Sequence, residues 1–531
     1  MSRRCPRLLH DSLKLAAAEH PDKPAVVTED ERVAYRELAE RAARLARGLQ
    51  DRGVRRGDRV AVYLENSADL VAAIYGTLMA GAAFMVVNPQ TKADKLAYVL
   101  GDAEAAAIVA EGHLAKAVAQ AAADVPTLHT VLLRGVTRDA AAATLPGAVP
   151  GAVPDALPLD AFLSDHAPEP HDSGVLPVDL AALIYTSGST GNPKGVMLSH
   201  QNMVFTQASV SEYLRLSTDD RILNVLPLAF DYGLYQAIMA VHLAATLVLE
   251  TSFSFPARVI QRVNEEGVTV FPGVPTVFAT LLSLHRDKPQ RMPSVRRYTN
   301  TAAHLPDDHV PGLLEMSPDA LVFKMYGLTE CKRVCYLEPE LVQVKPSSVG
   351  KAIPGTETFV LDDDGRVVPP GTTGTLYVRG PHVMMGYWNL PDETAHMLKP
   401  GPYPGERMLC THDLFRTDED GFLYFVGRSD DIIKSRGEKV SPVEVENVLA
   451  GVPGIKEAAV VGVPDELLGQ AVRAYVVLDP GHAMTEREFR RACMARLENY
   501  MVPRDVVFLD ELPKTGSGKV RKKSLVEAEA S

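Results

Sequence analysis

The sequence has little of what marks a secreted, zinc-built or nucleic-acid-binding protein. Five cysteines in 531 residues (Cys5, Cys331, Cys335, Cys410 and Cys493) are scattered without a disulfide framework. Cys331 and Cys335 are spaced to share a helix face, but no Cys/His cluster accompanies them, which argues against a metal site. Positive charge is also scarce. A formal net charge of -12 leaves no basic face of the kind that nucleic acid requires. Arg3 and Arg4 run into Cys5-Pro6-Arg7 rather than into an apolar signal region. One uncharged run, 70–87, reaches the lower edge of a membrane span, yet it holds Gly76 and Gly81 and ends in Asn88-Pro89. It reads as a buried helix stopping near Gly81 and a core strand at 82–87. These absences imply no membrane span, no nucleic-acid partner and a reducing, cytoplasmic setting.

What is present reads as alternating layers. At this length the chain divides into two or more domains. An amphipathic helix is expected at 35–52, with Leu38, Ala42, Leu45 and Leu49 on one stripe and Gly53 where a C-cap falls. A strand at 59–64 follows, and Ser67 is placed to cap the next helix. Helix and strand in this alternation predict a largely parallel sheet. The Ala/Pro-rich stretch 135–174 reads as a surface connection. A second α/β run covers 200–325. From 348 to 387 the apolar period changes to two, predicting an antiparallel β subdomain. The last hundred residues read as a separate small α+β unit, with a helix at 442–449 capped by Ser441.

The stretch Tyr185-Thr186-Ser187-Gly188-Ser189-Thr190-Gly191-Asn192-Pro193-Lys194-Gly195 carries the strongest chemistry. Glycines let backbone N–H groups point into one concavity, hydroxyls add donors, and a lysine adds a point charge. Such a loop suits a polyphosphate. It is not a Walker A loop, because Lys194 is preceded by proline and followed by glycine. A second lysine loop, 515–519, fails the same test at Val520, which argues against a regulatory NTPase.

Taken in order, these residues resemble the adenylate-forming superfamily of acyl-CoA synthetases, amino-acid adenylation domains and luciferases. The glycine loop matches the family's phosphate loop, and Met325-Tyr326-Gly327-Leu328-Thr329-Glu330 its aromatic-Gly-x-Thr-Glu motif. Arg428-Ser429-Asp430-Asp431-Ile432-Ile433-Lys434 with Gly437 matches the hinge motif, and the 513–519 segment matches the C-terminal lysine motif. The resemblance implies a large N-terminal domain, 1–427, of two α/β subdomains plus a β subdomain. It also implies a hinge at 428–430 and a small mobile C-terminal domain, 431–531.

The same resemblance implies ATP-dependent activation of a hydrophobic carboxylic acid as acyl-AMP, then transfer to a thiol. Thr186, Ser187, Gly188, Ser189, Thr190, Gly191 and Lys194 would grip the phosphates. Tyr326 would stack on adenine beside Ala303, and Asp413 with Arg428 would hold the ribose. Thr329 would hold phosphate oxygens and Glu330 would ligate Mg²⁺, a hard cation that takes oxygen ligands. Lys519 would meet the charge developing at the α-phosphate. Rotation about Asp430 would then replace Lys519 by the side of the small domain that carries Lys434 and Gly437, the latter at the acceptor channel.

The acyl pocket is expected from Asp231, Tyr232, Gly273 and Met325 with the 270–275 and 299–303 segments. CoA or a carrier-protein phosphopantetheine arm is the expected acceptor, and an amine or an amino-acid substrate is the competing reading. Two positions depart from pattern. His412 stands where the family has glycine before Asp413, and Asp231 reads either as a helix N-cap, which is favoured, or as a partner for a substrate ammonium. The chain is expected as a monomer or a dimer.

Overall fold

The computed structural model describes residues 6–137, 156–186, 193–428, 431, 433–435, 438–465, 469–497, 501–514 and 520–527. By contacts the chain forms two units. The first holds Met1–Pro346, Ala352–Glu357 and Arg379–Leu409, and the second holds Ser347–Lys351, Thr358–Val378 and Cys410–Ser531.

In the first unit, one eight-stranded sheet runs in the order Gly386–Tyr387, Lys194–Ser199, Leu180–Thr186, Ala83–Val86, Arg59–Tyr63, Ala105–Glu111, Thr130–Arg134, Ala156–Pro158. The strands from Leu180–Thr186 onward are parallel, as the helix–strand alternation predicts. The run 70–87 is the buried helix Ala68–Met79 and the strand Ala83–Val86, with Ser67 accepting from Leu70 N as the N-cap. Its Gly76 lets the helix lie against Tyr35–Asp51: a Cβ there would sit 2.8 Å from the Ala42 carbonyl oxygen. The chain leaves Tyr35–Asp51 through Gly53 at φ 92°, a left-handed turn that glycine adopts without strain.

A second sheet in this unit orders Cys335–Leu337, Leu321–Tyr326, Arg297–Asn300, Val270–Gly273, Arg221–Asn224, Thr246–Leu249, Pro24–Val27 and Arg32–Ala34. It is parallel except at the antiparallel ends. Cys331 and Cys335 do not share a helix. Cys331 lies in a tight loop and Cys335 opens a strand, because the chain reverses there to pair with Leu321–Tyr326.

The second unit contains a hairpin, in which the strand Arg407–Thr417 pairs from Asp413 onward with Leu423–Arg428, and a smaller sheet. That sheet runs Glu438–Val440, Ile433–Ser435, Gly469–Leu478, Ile455–Asp465, with Asp505–Phe508 alongside Gly469–Leu478. Ser441 accepts from Glu444 N and caps the helix Pro442–Ala450, as expected. Val445, Leu449, Val460, Val476 and Phe489 build the core between that sheet and its helices. Among the described residues no helix is long and apolar enough to cross a membrane.

Burial pushes three imidazoles of the first unit down, His10 to about 3 and His200 and His382 to about 4. The unfolded chain takes up protons at histidine below about pH 6.5. Between that pH and the folded values the unfolded state therefore binds more protons. The stability these groups contribute is full above the window and is lost as pH falls through it. The melting temperature is expected to drop between about pH 6.5 and pH 4, and less steeply in His382→Gln; equal slopes in calorimetry would contradict this.

Candidate active site

The phosphate loop joins two antiparallel strands rather than a strand and a helix. Thr186 is registered against Lys194 at its base, and Tyr185 against Gly195. This strand–strand setting agrees with the loop's failure as a Walker motif. Two aromatic side chains clamp the base. Tyr185 donates to the Asp102 carboxylate, and Trp388 donates through Nε1 to the Asp102 carbonyl at 2.9 Å. Trp388 N also donates to Gly195 O at 2.8 Å, and the glycine leaves room for that approach. Lys194 is half-buried, with Nζ 2.6 Å from Glu393 Oε2 and 5.7 Å from the Tyr387 ring centroid. The ammonium holds the Glu393 carboxyl below its ordinary value. A partly exposed pair of this kind contributes about 0.2–1 kcal/mol, so it does not commit Lys194 to Glu393.

The second motif sits at the end of the strand Leu321–Tyr326. Gly327 is required here, because a Cβ would run into the Lys332 carbonyl oxygen and the Arg333 backbone. The reversed loop leaves Tyr326, Thr329 and Glu330 half-buried. Glu330 is held twice by one segment: its carbonyl accepts from Met384 N at 2.8 Å, and its Oε1 accepts from Tyr387 Oη at 2.6 Å. Burial first, and then the Glu330 charge, push the Tyr387 phenol well above its usual value, so it stays a donor. Tyr387 itself is fixed by pairing of Gly386–Tyr387 with Val196 and Met197 and by its N–H on Thr394 Oγ1 at 2.8 Å.

Sequence reasoning missed Tyr387, Trp388 and Glu393. The turn-flanked Gly386-Tyr387-Trp388-Asn389 run before the helix start at Pro391 marks a short strand, but not the distant partners its side chains take.

The expected acyl-pocket residues gather at the ends of neighbouring strands of the second sheet. Gly273 ends Val270–Gly273, Met325 lies in Leu321–Tyr326, and Tyr232 Oη reaches Thr299 O and Oγ1 at 2.7 and 2.8 Å. Ala303 is exposed just beyond the strand Arg297–Asn300, after Ala302 at φ 76°. The favoured reading of Asp231 is corrected. Phe230 is the N-cap of Asp231–His242, no side chain caps it, and Asp231 is the first helical residue. Its carboxylate instead meets Lys332, Nζ to Oδ2 at 3.2 Å, and Lys332 also donates to the Asp231 carbonyl at 2.7 Å. Burial lowers the Lys332 ammonium to about 7, against the opposing pull of Asp231.

In the second unit Asp413 is buried on Arg407–Thr417, directly opposite Arg428, with Arg428 Nε 3.6 Å from Asp413 Oδ1. Thr411 Oγ1 accepts from Asp413 N and donates to Leu376 O. His412 has φ 55°, a conformation glycine takes freely, which explains the family's glycine there. Its Nδ1 lies 3.8 Å from Cys410 Sγ, so the imidazole packs back along its own strand. Lys434 lies on Ile433–Ser435, paired with Lys439. Ser187, Gly188, Ser189, Thr190, Gly191, Asp430, Gly437 and Lys519 lie outside the described residues.

No cluster of three metal-ligating side chains occurs among the described residues. A lone carboxylate such as Glu330 fits Mg²⁺, which relies on phosphate and water oxygens for most of its ligands. A cavity of about 480 Å³ opens at the carboxyl ends of the parallel strands Arg59–Tyr63 and Ala105–Glu111, lined by Tyr63, Gln90, Lys92, His113, Lys116 and Gln120 among others. Arg59–Tyr63 stands between Ala83–Val86 and Ala105–Glu111, so successive strands are added on opposite sides of it while all run parallel, and such switch points are where α/β sheets bind ligands.

Residues 13–388 match the family model described as AMP-binding enzyme, and residues 444–519 match the AMP-binding enzyme C-terminal domain. The chain therefore belongs to the AMP-binding enzyme family. It is 33% identical over 526 residues to a dimodular nonribosomal peptide synthase of Bacillus subtilis (strain 168), covering 97% of this chain but 21% of that protein. It is 31% identical over 541 residues to a long-chain-fatty-acid–CoA ligase of the same organism, covering 98% and 95%. Among solved structures it resembles ATP-bound MatB from Rhodopseudomonas palustris, with TM-score 0.87, 28% identity and 98% of each chain covered.

Tyr387→Phe removes the donor that orients Glu330 without removing the ring near Lys194. The variant is expected to fold with a stability loss of about 1 kcal/mol. It should need several-fold more Mg²⁺ for half-maximal pyrophosphate release. An unchanged Mg²⁺ dependence would show that Tyr387 does not position Glu330.

Proposed function

We propose that this AMP-binding enzyme couples ATP to a carboxylic acid and passes the acyl group to the thiol of CoA. The observation that carries the reading is the convergence of Lys194 and Glu330 on Tyr387, which draws a phosphate anchor and a metal-suited carboxylate together. In the first half-reaction the acid's carboxylate oxygen attacks the α-phosphorus of ATP. The bond from that phosphorus to its bridging oxygen breaks, and pyrophosphate leaves. In the second, a thiol sulfur attacks the acyl carbon and loses its proton as AMP departs.

Lys194, Thr186 and Thr329 hold the polyphosphate in this reading, Tyr326 stacks on adenine, and Asp413 with Arg428 takes the ribose hydroxyls. Glu330 would hold Mg²⁺, which neutralises phosphate charge when bound. The family resemblance gives Lys519 the first half-reaction and the Lys434–Gly437 side the second, with Asp430 as the hinge.

CoA is favoured over an amine because relatives matched over nearly their full length are CoA ligases, and the cavity at the strand ends carries Lys92, Lys116 and His113, with Asp94 among them, which suits a phosphate-bearing acceptor. A carrier-protein phosphopantetheine arm shares the thiol chemistry. Amino-acid activation is disfavoured because the Asp231 carboxylate is already engaged by Lys332.

Lys519→Ala is expected to lose pyrophosphate release with any acid while still converting a supplied acyl-adenylate to thioester; equal loss of both steps would sink the division of labour. Lys116→Glu is expected to raise KM for CoA several-fold and leave adenylate formation unchanged. Product mass after incubation with CoA or with amines decides the acceptor.

A further inference from the structure

Behind the expected acyl pocket the chain buries two adjacent cations, Lys332 and Arg333, at 3% and 2% exposure. Lys332 is accounted for by Asp231 and by the faces of Tyr235 and Tyr232, 4.5 and 5.4 Å from Nζ. Arg333 is not. Its Nη1 donates to Thr301 Oγ1, its guanidinium carbon lies 5.6 Å over the Tyr232 ring, and the Tyr213 hydroxyl lies beside it. Its Nε is buried and has no hydrogen-bond partner among the described residues, and no carboxylate among them forms an ion pair with it. The one carboxylate at this place, Asp231, is engaged by Lys332, so Arg333 is left without an anionic partner among the described residues.

An unpaired guanidinium out of water is costly, and rings and hydroxyls soften that cost without cancelling the charge. A fold gains nothing in stability by keeping it there. The groups around it are also those that bound the acyl pocket. Thr301 and Tyr232 are two of its expected walls, and Tyr213 donates to Met325 Sδ at 2.9 Å, a third. A guanidinium presents a planar fork of donors that a carboxylate matches side-on.

We propose that Arg333 is the counter-charge for a second carboxylate, carried at the far end of the acid that this enzyme activates. The acid then has an apolar body, met by Tyr232 and Met325, between the carboxylate that is adenylated and the one held at Arg333. The Asp231 carboxylate beside it is engaged by Lys332, which selects against an ammonium at the same place. Arg333 is a specificity-determining residue in this proposal, which rests on the acid-activation reading above.

ATP–pyrophosphate exchange is measured on the full chain with matched pairs of acids: straight-chain monocarboxylates against dicarboxylates of equal length, and aromatic acids with and without a second carboxylate. At least one dicarboxylate is expected to exceed its monocarboxylate partner by about tenfold or more in kcat/KM, the scale on which a site rejects an analogue lacking the group it pairs with. In Arg333→Met, checked for folding by thermal melting, that preference is expected to collapse or invert, and Arg333→Lys to retain part of it. The wild-type preference tests the proposal even where the variant fails to fold. Monocarboxylates equal or superior to every dicarboxylate would overturn the proposal and leave acid activation standing. Preference for amino acids would overturn it in favour of Asp231 as an ammonium partner. No exchange with any acid would count against the activation reading itself, and the proposal would fall with it.

Discussion

The hydrogen bond from the Tyr387 hydroxyl to the Glu330 carboxylate joins parts of the chain that lie far apart in sequence. Gly386–Tyr387 is an edge strand on the same sheet as the phosphate strand, so the backbone that carries Tyr387 also sets the position of Lys194. Met384 and Trp388, either side of it, hold the Glu330 carbonyl and the Gly195 carbonyl. In the proposed reading, a phosphate-gripping lysine and a carboxylate suited to Mg²⁺ must be held at fixed spacing, since a misplacement of about 1 Å costs orders of magnitude in rate. Short polar contacts on rigid strand backbone provide that spacing more reliably than either motif loop by itself.

Much of the fold was legible because it follows from local rules. Gly53 as a left-handed exit and Ser67 and Ser441 as N-caps each depend on a few neighbouring residues. Their outcomes in the structure match. Candidate site residues were legible only where they lie within one motif. Tyr326, Glu330, Asp413 and Lys194 could be named because each is embedded in a recognisable run.

Tyr387 and Arg333 could not be named, because what distinguishes them is a partner gained or denied by tertiary packing. Asp231 shows the same limit from the other side. Its sequence setting fits an N-cap, but Phe230 already supplies the extended residue before the helix, and the distant Lys332 claims the carboxylate. The Cys331/Cys335 spacing failed for a related reason, since a chain reversal at Gly327 overrides the helical period.

The packing of Gly327 onto the Lys332 carbonyl ties two kinds of selection together. Tyr326, Thr329 and Glu330 face the nucleotide in the family reading, whereas Lys332 and Arg333 back the acyl pocket, yet the two sets share one closed loop whose halves touch through backbone. A change of side chain at 332 or 333 that moves its own backbone therefore moves the nucleotide contacts as well. Evolution toward a new acid along this segment is confined to replacements that leave the reversal intact. Drift in acid preference is then expected to occur first on the wall that another strand contributes at 299–301, which carries none of the residues assigned to ATP; Gly273 is held as glycine, because a Cβ there would run into the buried Phe278 ring.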